Sequence, residues 1–173
     1  MRRLFFALRP DAETRAALAA AAQEIDVYDG RRVRPENLHL TLVFLGAVPP
    51  PTYARLLSSA APDMLAPFEL SIALAGWWRK SAVSWLAPLE EPPSLLRLQA
   101  ALAAHARALG CALEDRPFRP HITIARACRR APRAMDAITV VWQVTDFTLM
   151  ESRSDDAGAR YQVRRRWPLN TCS

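Results

Sequence analysis

Two histidines in this sequence are each followed, two positions later, by a threonine: residues 38–42 read LHLTL and residues 120–124 read PHITI. The chain contains three histidines and eight threonines among 173 residues, so a chance repeat of this pairing is improbable. Imidazole gains and loses a proton near neutral pH, because its reference pKa is about 6.5. The repeat therefore indicates two groups suited to proton-transfer catalysis, His39 and His121.

Both segments have the branched, apolar composition of β-strands. Side chains alternate between the two faces of a strand, so His39 and Thr41 point one way while Leu40 points the other. The same alternation predicts that Leu42 and Phe44 lie on the buried face. The first strand thus presents one imidazole and one hydroxyl on a common face.

In the second segment, His121 and Thr123 oppose Ile122 and Ile124 in the same way. If the two halves of the chain pack around an approximate twofold axis, the two His-Thr pairs converge on one cleft. That arrangement suits phosphodiester hydrolysis: one neutral imidazole takes a proton from the attacking water, and the other, protonated, gives one to the departing oxygen. The residues alone leave the order of these two roles open.

The hydroxyls of Thr41 and Thr123 complete the predicted site, because they can donate hydrogen bonds to non-bridging phosphate oxygens as negative charge builds. A zinc or two-metal site normally draws on several histidine, cysteine or carboxylate ligands, and here the shared faces carry threonine instead. We therefore expect a site with no metal.

The segments around the two motifs have helical or strand periodicity. We expect helices that begin at residues 10–11, 49–51 and 92–94, the last ending at Gly110, and strands over residues 3–8, 39–45, 68–74, 82–86, 121–125, 138–152 and 159–167, with turns at 76–81 and 155–158. Strands joined by turns favour largely antiparallel sheets with helices packed on one side, which is an α+β fold. No linker divides the sequence, so we expect one domain over residues 1–173.

The charge of the chain favours polyanionic partners. Its formal net charge is +6 and its pI about 10, carried by 22 arginines and a single lysine, Lys80. The planar arginine side chain suits phosphate recognition, although an Ala-, Arg-, Pro- and Leu-rich composition can also reflect genome-wide codon bias. Charge alone therefore does not decide for nucleic acid.

The sequence contains no apolar run of membrane-spanning length, and the short apolar segment 4–8 is followed by Arg9, Pro10 and Asp11 where a signal peptide would stay apolar. Three widely spaced cysteines, Cys111, Cys128 and Cys172, indicate neither a disulfide framework nor a zinc site. We expect a cytoplasmic protein with free thiols and no membrane partner.

The chain resembles, nearly end to end, the two-histidine phosphoesterase superfamily, and within it the bacterial and archaeal RNA 2′,3′-cyclic phosphodiesterases, historically called 2′-5′ RNA ligases. The resemblance is carried by both His-x-Thr-x motifs and by the segments around them. These are residues 3–8 (RLFFAL), 10–15 (PDAETR), 37–46 (NLHLTLVFLG), 118–126 (FRPHITIAR), 151–152 (ES), 158–161 (GARY) and 167–169 (WPL).

The resemblance implies a bilobal, pseudo-twofold α+β fold of two intertwined lobes, in which two largely antiparallel sheets face a central groove with helices packed outside. It implies hydrolysis of RNA 2′,3′-cyclic phosphate termini, tRNA fragments among them, to a 2′-phosphomonoester without metal or cofactor. His39 would be the proton donor to the leaving 3′ oxygen and His121 the proton acceptor from water. Reversal of the ring opening would give 2′-5′ ligation. We expect a monomer.

The resemblance also implies two further substrate contacts. Arg126 matches an arginine near the phosphate or the terminal nucleotide, but strand alternation places it opposite His121, so it reaches the site only if the strand ends or bulges at Ala125. Phe6 lies where the family can offer an aromatic near the base. An ordinary core phenylalanine is the other interpretation of Phe6.

Other residues with possible chemistry have simpler explanations. His105 has no threonine partner and is expected at a surface or lobe contact. Trp77 and Trp78, with the basic pair that follows them, either face RNA or cover the core. Arg164, Arg165 and Arg166 alternate across a strand, so they cannot all bind one ligand.

Two alternative functions stay open from the sequence. One is a catalytically inert RNA-binding module that uses the same basic groove. The other keeps the chemistry and changes the substrate, since relatives in the superfamily act on ADP-ribose cyclic phosphate or on 2′-5′ linked oligoadenylates.

Overall fold

The computed structural model describes residues 1–60, 66–132, 139–155 and 158–170. The fold is α+β, as predicted. Its strands are β1 (Arg2–Leu8), β2 (Arg31–Arg32), β3 (Leu40–Val48), β4 (Phe68–Trp78), β5 (Val83–Pro88), β6 (Ile122–Arg126), β7 (Val140–Val144), β8 (Asp146–Asp155) and β9 (Gly158–Pro168). The helices are α1 (Ala12–Glu24), α2 (Pro50–Ser58) and α3 (Pro93–Ala108), with a 3₁₀ turn at Pro35–Asn37.

Across the described residues the nine strands form one sheet, in the order β7-β4-β5-β6-β3-β1-β8-β9, with the short β2 paired to β6. The two sheets that the family resemblance implies are joined here as the two halves of a single sheet. One half is β7-β4-β5-β6 and the other is β3-β1-β8-β9, and both are antiparallel throughout. A single residue pair, Leu40 with Ile122, joins them through β3 and β6.

The helices cover the apolar face of the sheet. Helix α1 lies against β7 and α3 against β3. In α3 the apolar residues Leu95, Leu98 and Leu102 are buried. Gly110 ends this helix as expected: it adopts φ +86°, and the amide of Cys111 reaches back to the carbonyl of residue 106 at 3.0 Å. None of the helices in the described ranges is long and apolar enough to cross a membrane.

The structure differs from two predicted elements. The expected strand 138–152 is interrupted at Thr145, where the chain leaves β7 in one half and enters β8 in the other; Ile138, the turn residues 156–157 and Cys172 lie outside the described residues. The expected turn at 76–81 is shorter, because β4 continues to Trp78. Gly76 lies within the strand and pairs with Trp85 of β5, whose ring packs so closely over it that any side chain there would overlap the ring.

Candidate active site

The pairing of Leu40 with Ile122 brings the two His-Thr motifs together. Both apolar residues are 0% exposed and point into the core, so the residues on either side of each point to the opposite face. His39, Thr41, His121 and Thr123 are all partly exposed, in agreement with that position. The antiparallel register places His39 opposite Thr123 and Thr41 opposite His121. The four side chains share one face at the join between the two halves of the sheet.

The two imidazoles are anchored in the same way. Nδ1 of His39 lies 2.6 Å from the carbonyl oxygen of Asn37, and Nδ1 of His121 lies 2.7 Å from the carbonyl oxygen of Arg119. A carbonyl can only accept a hydrogen bond, so Nδ1 carries the proton in both rings. Each ring therefore keeps Nε2 for proton exchange. The Asn37 side chain in turn donates to the Ala159 carbonyl of β9 at 2.9 Å, which holds the first anchor in place.

Both histidines have lowered pKa values. Burial is the largest cause and lowers the pKa of His39 to about 4; the positive charges of Arg126 and His121 act in the same direction, and the hydrogen bond to Asn37 opposes them. Burial also lowers the pKa of His121, again with a contribution from Arg126 and an opposing hydrogen bond to Arg119. Arg126 thus lies within electrostatic range of both imidazoles.

A β-bulge explains how Arg126 reaches this face. On β6, Thr123 pairs with Trp85 and Ala125 pairs with Ser84, so residue 124 is an extra residue in the strand. Residues 124 and 125 are both buried as a result, and Arg126 is exposed on the histidine side. The sequence indicated that Arg126 could reach the site only if this strand ended or bulged at Ala125, and the strand does contain a bulge there.

The first motif contains a matching bulge. On β3, Thr41 pairs with Ala7 and Val43 pairs with Phe6, so residue 42 is extra. Phe44 is consequently 41% exposed on the histidine face, and the prediction that it is buried was wrong. Phe44 and Arg126 each follow their histidine by five positions, so they occupy equivalent places in the two halves. Sequence alternation missed Phe44 because a bulge shifts every later residue to the other face.

Aromatic rings flank both histidines. The ring of His39 lies 5.0 Å from Phe5 and 4.8 Å from Tyr161 of β9. The ring of His121 lies 4.5 Å from Trp78, which itself contacts Trp85 at 5.4 Å. These contacts limit the rotation of each imidazole and account for much of its burial. Phe5 and Tyr161 occur in segments that carry the family resemblance, but sequence gives no sign that they meet at His39.

The structure contradicts the expected substrate contact at Phe6. Its side chain is 1% exposed and packs in the core against Phe147 and Trp167, with ring centroids 6.2 and 5.9 Å away. The adjacent Phe5 points to the site instead. Strand alternation requires that only one of the two neighbours does so.

The remaining candidates lie elsewhere. His105 accepts or donates a hydrogen bond at 2.9 Å with the Ser59 hydroxyl beyond α2, which agrees with the expected contact role. Trp77 donates its ring N–H to the Cys128 carbonyl at 2.9 Å and packs on the core, whereas the ring of Trp78 contacts His121. Arg164 pairs with the buried Glu151. Over residues 1–60, 66–132, 139–155 and 158–170, no three histidine, cysteine or carboxylate side chains are grouped as metal ligands would be.

The chain is similar to known members of one protein family. The family model of the 2′-5′ RNA ligase superfamily matches residues 12–156. An RNA 2′,3′-cyclic phosphodiesterase of Escherichia coli (strain K12) is 35% identical over 175 residues, which cover 96% of both chains. One of Thermus thermophilus is 33% identical over 180 residues, which cover 96% of this chain and 90% of the relative.

Solved structures share the whole fold. E. coli LigT complexed with 3′-AMP matches with a TM-score of 0.86 at 35% identity, over 98% of this chain and 99% of that one. A structure described as a phosphoesterase matches with a TM-score of 0.89, also at 35% identity and over the same shares of the two chains. Given this agreement in sequence and in fold, the chain belongs to the 2′-5′ RNA ligase superfamily.

Proposed function

We propose that this protein hydrolyses the 2′,3′-cyclic phosphate at RNA 3′ ends to a 2′-phosphomonoester, through metal-independent acid–base catalysis by His39 and His121. The observation that carries the proposal is the matched anchoring of two imidazoles, each through Nδ1 to the carbonyl two residues earlier, on one face with two threonines. The names of the relatives in E. coli and T. thermophilus support the substrate class.

In the proposed reaction, Nε2 of His121 takes a proton from water as the water oxygen bonds to phosphorus. The bond from phosphorus to O3′ breaks, and Nε2 of His39 gives its proton to the departing O3′. The phosphate stays on O2′. The hydroxyls of Thr41 and Thr123 donate to the non-bridging oxygens, and the charge of Arg126 offsets the negative charge that builds on them.

The lowered pKa of His39 is consistent with a general acid that becomes protonated when the substrate binds. In the free protein its pKa of about 4 leaves the ring neutral at pH 7. A bound cyclic phosphate is an anion, and an adjacent anion favours the imidazolium form. We therefore expect the pH profile of kcat to lie at higher pH than that of kcat/KM, since kcat reports the substrate complex and kcat/KM the free enzyme.

Replacing Arg126 by glutamine is expected to move the pH profile of kcat/KM to higher pH. The reaction needs one protonated and one neutral imidazole, so kcat/KM peaks between the two pKa values of the free enzyme. Both pKa values are lowered, in part by Arg126, so the wild-type peak lies below the imidazole reference of about 6.5. Removing the positive charge raises both pKa values.

The measurement is kcat/KM against pH for the wild type, for R126Q and for R97Q, in which an exposed arginine of α3 is neutralised instead. R97Q should keep the wild-type profile. An R126Q profile that is unchanged, or that moves to lower pH, would contradict the electrostatic role assigned to Arg126.

The direct test of function uses an RNA oligonucleotide that ends in a 2′,3′-cyclic phosphate, incubated with the purified protein and a metal chelator. The expected product carries a 2′-phosphate. Absence of turnover, or turnover that requires added metal, would sink the proposal. ADP-ribose cyclic phosphate and a 2′-5′ linked oligoadenylate, tested in parallel, distinguish the alternative substrates, and binding of RNA without turnover would indicate an inert binding module.

A further inference from the structure

A large groove opens beside His121 and is not used by the chemistry described above. Its volume is about 1030 Å³, and it runs between the β4–β5 turn on one side and α3 with the loop 113–119 on the other. Pockets for small molecules measure roughly 300–1000 Å³. The groove therefore lies at the upper end of that range, and it begins at a residue of the proposed catalytic pair.

The lining of the groove is basic. It contains five cationic side chains, Arg79, Lys80, Arg107, Arg116 and Arg119, against two carboxylates, Glu114 and Asp115. Arg116 forms an ion pair with Glu114. Four cations and one carboxylate thus remain outside that pair, which gives the groove a positive potential.

Two of these cations, Arg79 and Lys80, lie in the β4–β5 turn, and Arg107 lies in the last turn of α3, so positive charge stands on both walls. All three are exposed. Within the part of the chain that the structure describes, none of the three forms an ion pair with a carboxylate. Cations placed along a groove without acidic partners fit an anionic chain.

Phe44 supplies an aromatic surface in the same groove. The bulge in β3 turns it to the histidine face, where it is 41% exposed, and it lines the groove together with His121. One face of its ring is approached by the Arg3 guanidinium, 5.7 Å from the ring centroid. Exposed aromatic rings in a basic groove are the usual platform on which bases of single-stranded nucleic acid stack.

From these observations we infer that this groove, defined by Phe44, Arg79, Lys80 and Arg107, binds the single-stranded RNA that precedes the cyclic phosphate. The inference rests on the proposed function, because it places the reacting end at His121. It makes the substrate an RNA chain rather than a free cyclic nucleotide: the phosphates of the preceding nucleotides contact the basic walls, and a base of the strand stacks on Phe44.

The test compares two substrates, a short RNA with a 2′,3′-cyclic phosphate end and the cyclic mononucleotide of the same terminal base. The variants are R107A and the double variant R79A/K80A, with R97A as the control on the same helix as Arg107. The groove variants should lower kcat/KM several-fold on the RNA and leave the mononucleotide unchanged. The slope of log kcat/KM against log salt on RNA should shrink by about 0.7 for each phosphate contact removed.

Phe44 is tested by F44L and F44W, because leucine keeps an apolar side chain without an aromatic face and tryptophan keeps the face. F44L is expected to lower kcat/KM on the RNA by about tenfold, and F44W to stay near the wild type. Thermal unfolding of both variants reports whether the fold is intact. Equal loss in F44L and F44W, with the fold intact, would overturn the stacking assignment.

The outcomes separate the two proposals. A wild type that turns over neither substrate refutes the proposed function. A wild type that turns over both, with groove variants that lower both equally or neither, refutes the RNA groove and leaves the function standing. A wild type that prefers the mononucleotide also refutes it.

Discussion

Alanine in place of His39 or His121 is expected to lower kcat on a cyclic-phosphate RNA end by on the order of 10²- to 10⁴-fold, the usual contribution of a positioned acid or base. The loss should appear mainly in kcat, because each ring exchanges its proton as the transition state forms. The double variant should be only slightly less active than the less active of the two single variants, because the two groups act in one proton-transfer step. The measurement is single-turnover kinetics with a chelator present.

The third histidine supplies the matched control. His105 has a hydrogen-bond partner, Ser59, and lies on α3 away from the site, so H105A should retain wild-type kcat. If H39A and H121A stayed within a few-fold of the wild type while all variants remained folded, the two-histidine mechanism would have to be abandoned. A loss in both variants that was restored by added metal would equally exclude it.

Valine in place of Thr41 or Thr123 is expected to lower kcat by on the order of 10²-fold, the lower end of what is lost with one hydrogen-bond donor to a developing oxyanion. Valine keeps the shape and the strand preference of threonine and removes only the hydroxyl. The donor acts most strongly when charge builds on the phosphate, so kcat should fall more than KM rises.

Serine is the control at both positions, because it restores the hydroxyl and loses only a methyl group. T41S and T123S should recover most of the activity lost in the valine variants. A T41V or T123V enzyme with wild-type kcat would show that the hydroxyl makes no contact in the transition state. Equal loss in serine and valine variants would assign the residue to packing instead.

The sequence predicted the part of the site that depends on strand alternation and short-range signals. His39 and Thr41 share a face, as do His121 and Thr123, because only one residue separates the members of each pair. The C-terminal end of α3 could also be predicted, because a glycine at the end of a helical pattern is a local sequence signal. These features need no knowledge of which strands are neighbours.

The residues beyond each threonine could not be predicted, because both strands contain a bulge there. An extra residue reverses the alternation of side chains along the strand. For this reason Phe44 was predicted on the wrong face, and Arg126 could be placed at the site only on the condition that the strand ended or bulged. Bulges leave no firm mark in a single sequence. Phe6 could not be assigned to the site or to the core for a related reason: alternation places Phe5 and Phe6 on opposite faces of β1 but does not say which face borders the site.

Long-range pairing was the second limit. The sequence of residues 138–152 reads as one strand, but its two parts pair with β4 and with β1, in different halves of the sheet. The same limit conceals the contact of Tyr161 with His39, which requires β9 to follow β8 beside β1. Such neighbours are set by the packing of the whole chain.

The position of β1 has a consequence for biosynthesis. This strand precedes both of its partners in the chain: it pairs on one side with β3, which follows soon after, but its other partner is the much later β8, so that Arg3 meets Ser152. Until that late segment leaves the ribosome, the apolar strand that carries Phe5 has a bare hydrogen-bonding edge. Unpaired apolar edges of this kind associate with other chains. The nascent protein is therefore most exposed to misassembly while β8 is still being made, and a shield over the edge of β1 during that interval would raise the yield of folded protein.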